Sequence, residues 1–236
     1  LVHELTHMCI FINKVCIKGN YGFFSWFTEM LAMITEDILQ NEIIGDYKPE
    51  DNNLFSSRLP YFNINYMNGF ANWKKDDTNV GYLYGNTYAF GGYLLRNYGS
   101  SGINIIHEIA TNQYINENAI TKALKTLGIK NPEDAESGYE TFISLLQKFP
   151  QVIINAGETV SPSYYINRED SFNGNIYKIF EINLNDFYYY DKLGNKYNGP
   201  LIITNSSYQT IDIGGYGFDV HKYGTVQEMK KFEVEL

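Results

Sequence analysis

Apolar residues recur at three- and four-residue steps through the start of the chain, at Leu5, Met8, Cys9, Ile12 and Cys16. That is the period of one helix face, and it predicts a helix from Leu1 to about Lys18, stopped by Gly19. "NYGFF" reads as a turn. Ser25 is a candidate N-cap for a second helix, "WFTEMLAMITEDILQNEI", with Gly45 after it. Residues 45–77 are rich in Asn, Asp and Pro and read as a long loop with short pieces of structure. A loop of that length in a compact domain is often functional, or hides an element. The helical period returns from about Val80 to Tyr98 despite Gly85, Gly91 and Gly92, which predicts close packing at those glycines. Two further helices are expected near 102–111 and 116–127. Another is expected from Asn131 as cap, with Pro132 in the first position and Glu133 and Asp134 at the positive dipole end.

After Pro150 the period changes. Short β-rich runs follow: "SYYIN", "IYKIFEI", "DFYYYD", "PLIITN", "YQTIDI", "YGFDVHKY" and "KKFEVEL". Turn signals such as "LGNKYNGP" and "IGGYG" separate them. Seven short strands of this kind suggest a small β-sandwich. The expected fold is therefore α+β, with a helical unit over 1–151 and a C-terminal β domain over 152–236.

Composition narrows this picture only modestly. With 236 residues, 44% of them hydrophobic and 19% charged, the chain can bury an ordinary globular core. The 21 Tyr and 15 Phe fit a strand-rich region with broad contact surfaces. A formal net charge of −9 argues against nucleic acid or an anionic membrane as partner. No apolar run is long enough for a transmembrane helix. Cys9 and Cys16 stand about 10 Å apart along one helix, beyond the roughly 7 Å limit of a disulfide. Two free, buried thiols are expected.

The chemistry lies in the opening stretch, "LVHELTHMCIF", where His3, Glu4 and His7 form an H-E-x-x-H pattern. On a helix, His3 and His7 leave the same face, and two imidazoles there can reach one Zn2+ at about 2.0–2.1 Å. Glu4, one residue round, can reach a metal-bound water without ligating the metal, so it is the candidate general base. The same three residues could also sit idle on an exposed face. Apolar Leu1, Val2 and Leu5 predict a buried helix instead, and buried imidazoles need partners.

A catalytic zinc needs a third protein ligand and an open position. Glu29 is the candidate, because a helix–turn–helix returns the chain past the first helix. Its neighbours Trp26, Phe27, Met30 and Leu31 are apolar. An unpaired carboxylate there would be costly and a metal-bound one satisfied. Glu36, two turns further along that face, is a candidate acceptor for a ligand histidine's other nitrogen. For Glu36 and Asp37 a solvated face is an equal reading. A purely structural zinc would need a fourth protein ligand, and the nearby Cys9 lies on a different helix face.

Together these residues resemble the gluzincin zinc metallopeptidases, the thermolysin and aminopeptidase N superfamily. In that group H-E-x-x-H is followed some twenty residues later by a Glu ligand. "WFTEMLAMITEDIL" looks most like the hyicolysin-like neutral zinc metallopeptidases, which carry a Trp-x-x-Glu-x-Leu-Ala segment with a following Glu-Asp. The likeness is specific over residues 1–40, weaker over 80–150 and absent beyond 151. It implies a mainly helical zincin catalytic subdomain and a Zn2+ cofactor. It further implies zinc ligands at His3, His7 and Glu29, Glu4 as general base, a protein or peptide substrate, and a secreted or cell-surface location. One departure stands out. Thermolysin-type sequences place an Asp four residues after the Glu ligand to support a zinc histidine, and here that position is Met33, which leaves Glu36 or Asp37 as candidates.

The tetrahedral intermediate of peptide hydrolysis also needs an oxyanion donor. "GYLYGNTYAFGGYLL" offers Tyr82, Tyr84 and Tyr88. It resembles the aminopeptidase N segment in which a catalytic Tyr lies three residues before a helical Gly, a spacing that selects Tyr82 before Gly85. His107 and His221 read as ordinary helix and strand residues. The competing function is an inactive peptidase-like protein that binds zinc or adheres to a surface through the aromatic β region. A zinc helix is also expected to run at least a turn before its first histidine. The chain is therefore expected to be the C-terminal portion of a longer peptidase, truncated at the start of that helix.

Overall fold

The structure, a computed structural model, describes residues 1–44, 57–71, 73, 80–131, 138–152, 168–191, 193–201, 203–204, 215–218 and 221–222. Helix α1 spans Val2–Ile10 and runs straight into a π-helical segment, Phe11–Ile17, ended near Gly19 at φ +70°. Helix α2 is Ser25–Ile44, α3 Leu59–Asn65 and α4 Val80–Asn97. Helices α5 (Gly102–Thr111), α6 (Asn116–Thr126) and α7 (Phe142–Lys148) follow. The strands are β1 Arg168–Phe172, β2 Asn175–Ile179, β3 Tyr188–Tyr190, β4 Lys196–Asn198, β5 Ile203–Thr204 and β6 His221–Lys222. The fold is α+β. Among the described residues no helix is long and apolar enough to cross a membrane.

Helix α2 is the centre of the core. Trp26, Phe27, Met30, Leu31, Met33 and Ile34 are all buried, and α2 packs against α1 on one side and α4 on another. The α2–α4 approach is close because α4 carries Gly91 at the contact. A Cβ there would stand 2.4 Å from Ile34 Cγ1 and 2.8 Å from Met30 Cγ. Gly85 does the same for α3, since its Cβ would lie 2.6 Å from the Arg58 carbonyl oxygen. The glycines of α4 thus exchange helix propensity for contact distance.

The π-helical segment coincides with a buried charge. Lys14 is fully buried, and its Nζ donates to the carbonyls of Ile109 and Asn112 at 2.7 Å each and of Tyr114 at 2.6 Å. Those acceptors sit at the end of α5, where helix carbonyls lack partners and the dipole is negative. A lysine supplied from the first helix satisfies them, and the widened turn is of the kind found where a side chain is accommodated locally.

One helix is described differently from the sequence expectation. The turn expected after an Asn131 cap lies outside the described residues, and the described helix of this stretch, α7, begins at Phe142. Before it, Asn131 N–H donates to Gly138 O and Glu140 N–H to Ile129 O, with Gly138 at φ +62°. Thr141 then caps α7 through a reciprocal pair with Ser144. Such a capping box satisfies two end donors at once. Residues 132–137, with Pro132, lie outside the described residues.

The strands form two-stranded ladders: β1–β2 and β3–β4 antiparallel, β5–β6 parallel. Asn173 and Gly174, both at positive φ, make the tight β1–β2 turn. The runs "SYYIN", "YQTIDI" and "KKFEVEL" lie outside the described residues. Ile179, Ile182 and Leu184 join the helical core. Arg96 Nε on α4 donates to Phe180 O at 2.9 Å, and Arg168 reaches the carbonyls of Leu95 and Arg96.

Candidate metal centre

Two helices bring three donors together. His3 and His7 leave α1 on one side, with ring centroids 4.8 Å apart and planes at 75°. Glu29, in the second turn of α2, faces them. His3 Nε2 is 3.1 Å from His7 Nε2 and 3.1 Å from Glu29 Oε2, and His7 Nε2 is 3.5 Å from Glu29 Oε1. Tetrahedral coordination with bonds of about 2.0–2.1 Å places neighbouring donor atoms about 3.3 Å apart. The three separations are near that value, with the two histidines meeting different oxygens of Glu29. Two imidazole nitrogens facing one another at this distance cannot both present lone pairs unless a proton or a cation lies between them. Two imidazoles and one carboxylate are a donor set suited to Zn2+. The side chains are 20%, 27% and 17% exposed for His3, His7 and Glu29, so the cluster opens to solvent on one side.

Glu4 follows His3 on α1 and is exposed. The helix around it is not buried as its apolar neighbours led us to expect. Leu1, Leu5 and Met8 are exposed, and so are Cys9 and Cys16, whose free thiols were expected in the core. The first helix meets the rest of the described chain with one side only. That side is the histidine side, continued by Ile10 and Lys14.

Of the two acids further along α2, Glu36 faces the cluster. Its Oε2 lies 3.5 Å from His3 Nδ1, and Arg58 Nη2 donates to the same oxygen at 2.6 Å. Asp37 points into the core instead. Arg96 donates to its two oxygens at 2.7 and 2.8 Å, and Tyr88 OH donates to Oδ2 at 2.9 Å. Met33 is a core residue. Sequence reading did not find Arg58: it is one arginine in a loop-like stretch, and only the Leu59-Pro60 helix start beside it carried any signal.

The three candidate tyrosines of α4, Tyr82, Tyr84 and Tyr88, have different surroundings. Tyr88 is buried with its hydroxyl committed to Asp37; burial first, then the Asp37 charge, holds its phenol well above the usual value. Tyr84, one turn earlier on the same face, is half-buried with its ring edge-on to Trp73 at 4.9 Å. Burial, then the charges of Glu29 and Glu4, push its phenol up, while Arg58 opposes them. Tyr82, also half-buried, stands about 200° round the helix from Tyr84. His107 is an exposed residue of α5 with its ring 4.9 Å from Phe172 and does not belong to the cluster; His221 lies in β6.

Residues 1–143 match the family described as Peptidase M30. The matched stretch contains the His3–His7–Glu29 cluster, Glu4, Glu36, Arg58 and the α4 tyrosines. No curated protein matches the chain.

Proposed function

The chain belongs to the Peptidase M30 family of metallopeptidases, and on that premise we propose that it cleaves peptide bonds with a zinc ion held by His3, His7 and Glu29 and with Glu4 as general base. The observation that carries this reading is the donor triangle of 3.1, 3.1 and 3.5 Å. Its third member is a glutamate from the following helix, the arrangement expected of a gluzincin site. Bound there, zinc supplies Lewis acidity toward water and the scissile carbonyl.

The chain's own groups do the rest. His3 and His7 present Nε2 as neutral donors, and Glu29 contributes a compensating negative charge. Glu4, exposed beside His3 and left out of the triangle, has its carboxylate free to take a proton from the attacking water and return it to the leaving amine. A phenol of α4 donates to the oxyanion. Tyr82 is favoured by its spacing before Gly85, and Tyr84 by the charge it feels from Glu29 and Glu4. The substrate is a protein or peptide, and the location, by resemblance, is secreted or cell-surface. The region from 152 onward is read as a C-terminal β domain.

The test is elemental analysis together with cleavage of an unfolded protein such as casein, with and without chelator. One equivalent of zinc and chelator-sensitive cleavage are expected. Absence of zinc binding, or cleavage indifferent to chelator, overturns the proposal.

A further inference from the structure

We propose that Arg58 is a positioning residue of the metal centre, holding Glu36 so that His3 presents Nε2 to the ion. This rests on the reading of His3 as a ligand. Nδ1 of His3 faces Glu36 Oε2 at 3.5 Å, and Arg58 Nη2 binds that same oxygen at 2.6 Å. A carboxylate at Nδ1 keeps the proton on that nitrogen and leaves Nε2 with its lone pair, which fixes both tautomer and ring orientation. An unheld glutamate on a helix surface has several rotamers, and each one that leaves Nδ1 frees the imidazole to turn.

Arg58 is itself unusually well held. Its side chain is 15% exposed, and its guanidinium carbon stands 5.2 Å from the centroid of the Tyr88 ring, within cation–π range. Its Nη1 is buried with no hydrogen-bond partner, so contact with Tyr88 and the bond to Glu36 account for its place. Tyr88 is anchored in turn by Asp37, which Arg96 clamps from below. At the backbone, the Arg58 carbonyl accepts from Tyr61 and Phe62 and abuts Gly85, where no side chain fits. The first ligand is thus tied through Glu36, the start of α3 and Tyr88 to the buried Asp37–Arg96 ion pair between α2 and α4. A part-exposed ion pair alone would add little to stability. What gives this pair a role at the metal is that the shared oxygen is the one facing Nδ1.

The experiment measures the Zn2+ dissociation constant by chelator competition, and the visible absorption of the Co2+-substituted protein, for the full chain and for Arg58→Met, Arg58→Lys and Glu36→Gln. Thermal midpoints of the metal-free proteins are recorded alongside. Arg58→Met and Glu36→Gln are expected to weaken zinc about 10- to 100-fold and shift the Co2+ bands. Arg58→Lys is expected to restore most of the loss. A purely structural role would lower the metal-free midpoint and leave the zinc constant alone. A zinc constant within twofold of the parent for Arg58→Met overturns the inference. Should Arg58→Met not fold, Arg58→Gln takes its place with the same expected loss, and an unchanged zinc constant there overturns the inference. A parent protein that binds no zinc refutes the proposed function instead, so the two failures are distinguishable.

Discussion

Glu29 Oε2 lies 3.1 Å from His3 Nε2 although 26 positions of sequence separate the two residues. That contact is what turns a local i,i+4 histidine pair into a three-donor site. Glu29→Gln keeps the shape and removes the charge. It is expected to weaken zinc by more than the roughly 100-fold that an outer partner costs. Titration with a competing chelator reads this directly, and an unchanged constant would exclude Glu29 as a ligand.

Glu4 is expected to behave oppositely. It stands outside the donor triangle, so Glu4→Gln should bind zinc as the parent does. Loss of a general base lowers kcat by about 10²- to 10⁴-fold. If Glu4→Gln cleaves casein at the parental rate, the base is another group.

Among the candidate tyrosines of α4, Tyr88 has its hydroxyl bound to Asp37. The oxyanion donor, removed as Tyr82→Phe or Tyr84→Phe, should cost about 10²- to 10³-fold in kcat with little change in zinc affinity. Tyr88→Phe should instead lower stability by about 1–3 kcal/mol, because it strips a buried partner from Asp37. Kinetics and thermal melts on the three single variants assign the roles. A kcat unaffected in both Tyr82→Phe and Tyr84→Phe would remove α4 from catalysis.

Lys14 predicts a pH dependence of stability. Burial, reinforced by Lys18 and opposed by Glu108, brings its folded pKa down from 10.5 to about 8. The folded value is the lower one, so between 8 and 10.5 the unfolded chain holds the proton that the folded chain has released. Stability contributed by this group therefore rises with pH through that window and is flat below it. The difference in denaturation midpoint between the parent and Lys14→Met should grow in the parent's favour from pH 8 to 10. A difference that stays constant or shrinks over that range contradicts the shift.

What the sequence determined by itself is local. The i,i+4 spacing puts His3 and His7 on one face of any helix that contains them, and apolar periodicity marks α2, α4, α5 and α6 nearly to their ends. Glycines within a helical period signalled the close approach of α2 and α3 to α4, because only a missing side chain permits it. What the tertiary structure decided depends on how the helices are rotated against one another. Glu36 and Asp37 are neighbours on one helix, about 100° apart; the seven-residue step from Glu29 puts Glu36 on the ligand face, but no pattern says whether either acid is solvated or held by a partner. The answer comes from Arg96, which draws Asp37 into the core, and Arg58, which meets Glu36 at the surface. The exposed cysteines follow from the same cause. A helical period specifies an apolar face but not which face another element covers, and α1 is covered on its histidine side. Lys14 buried against α5 was beyond reach as well, since its partners lie some hundred residues away. Each contact of that kind is set by packing of the whole core, which short-range patterns do not encode.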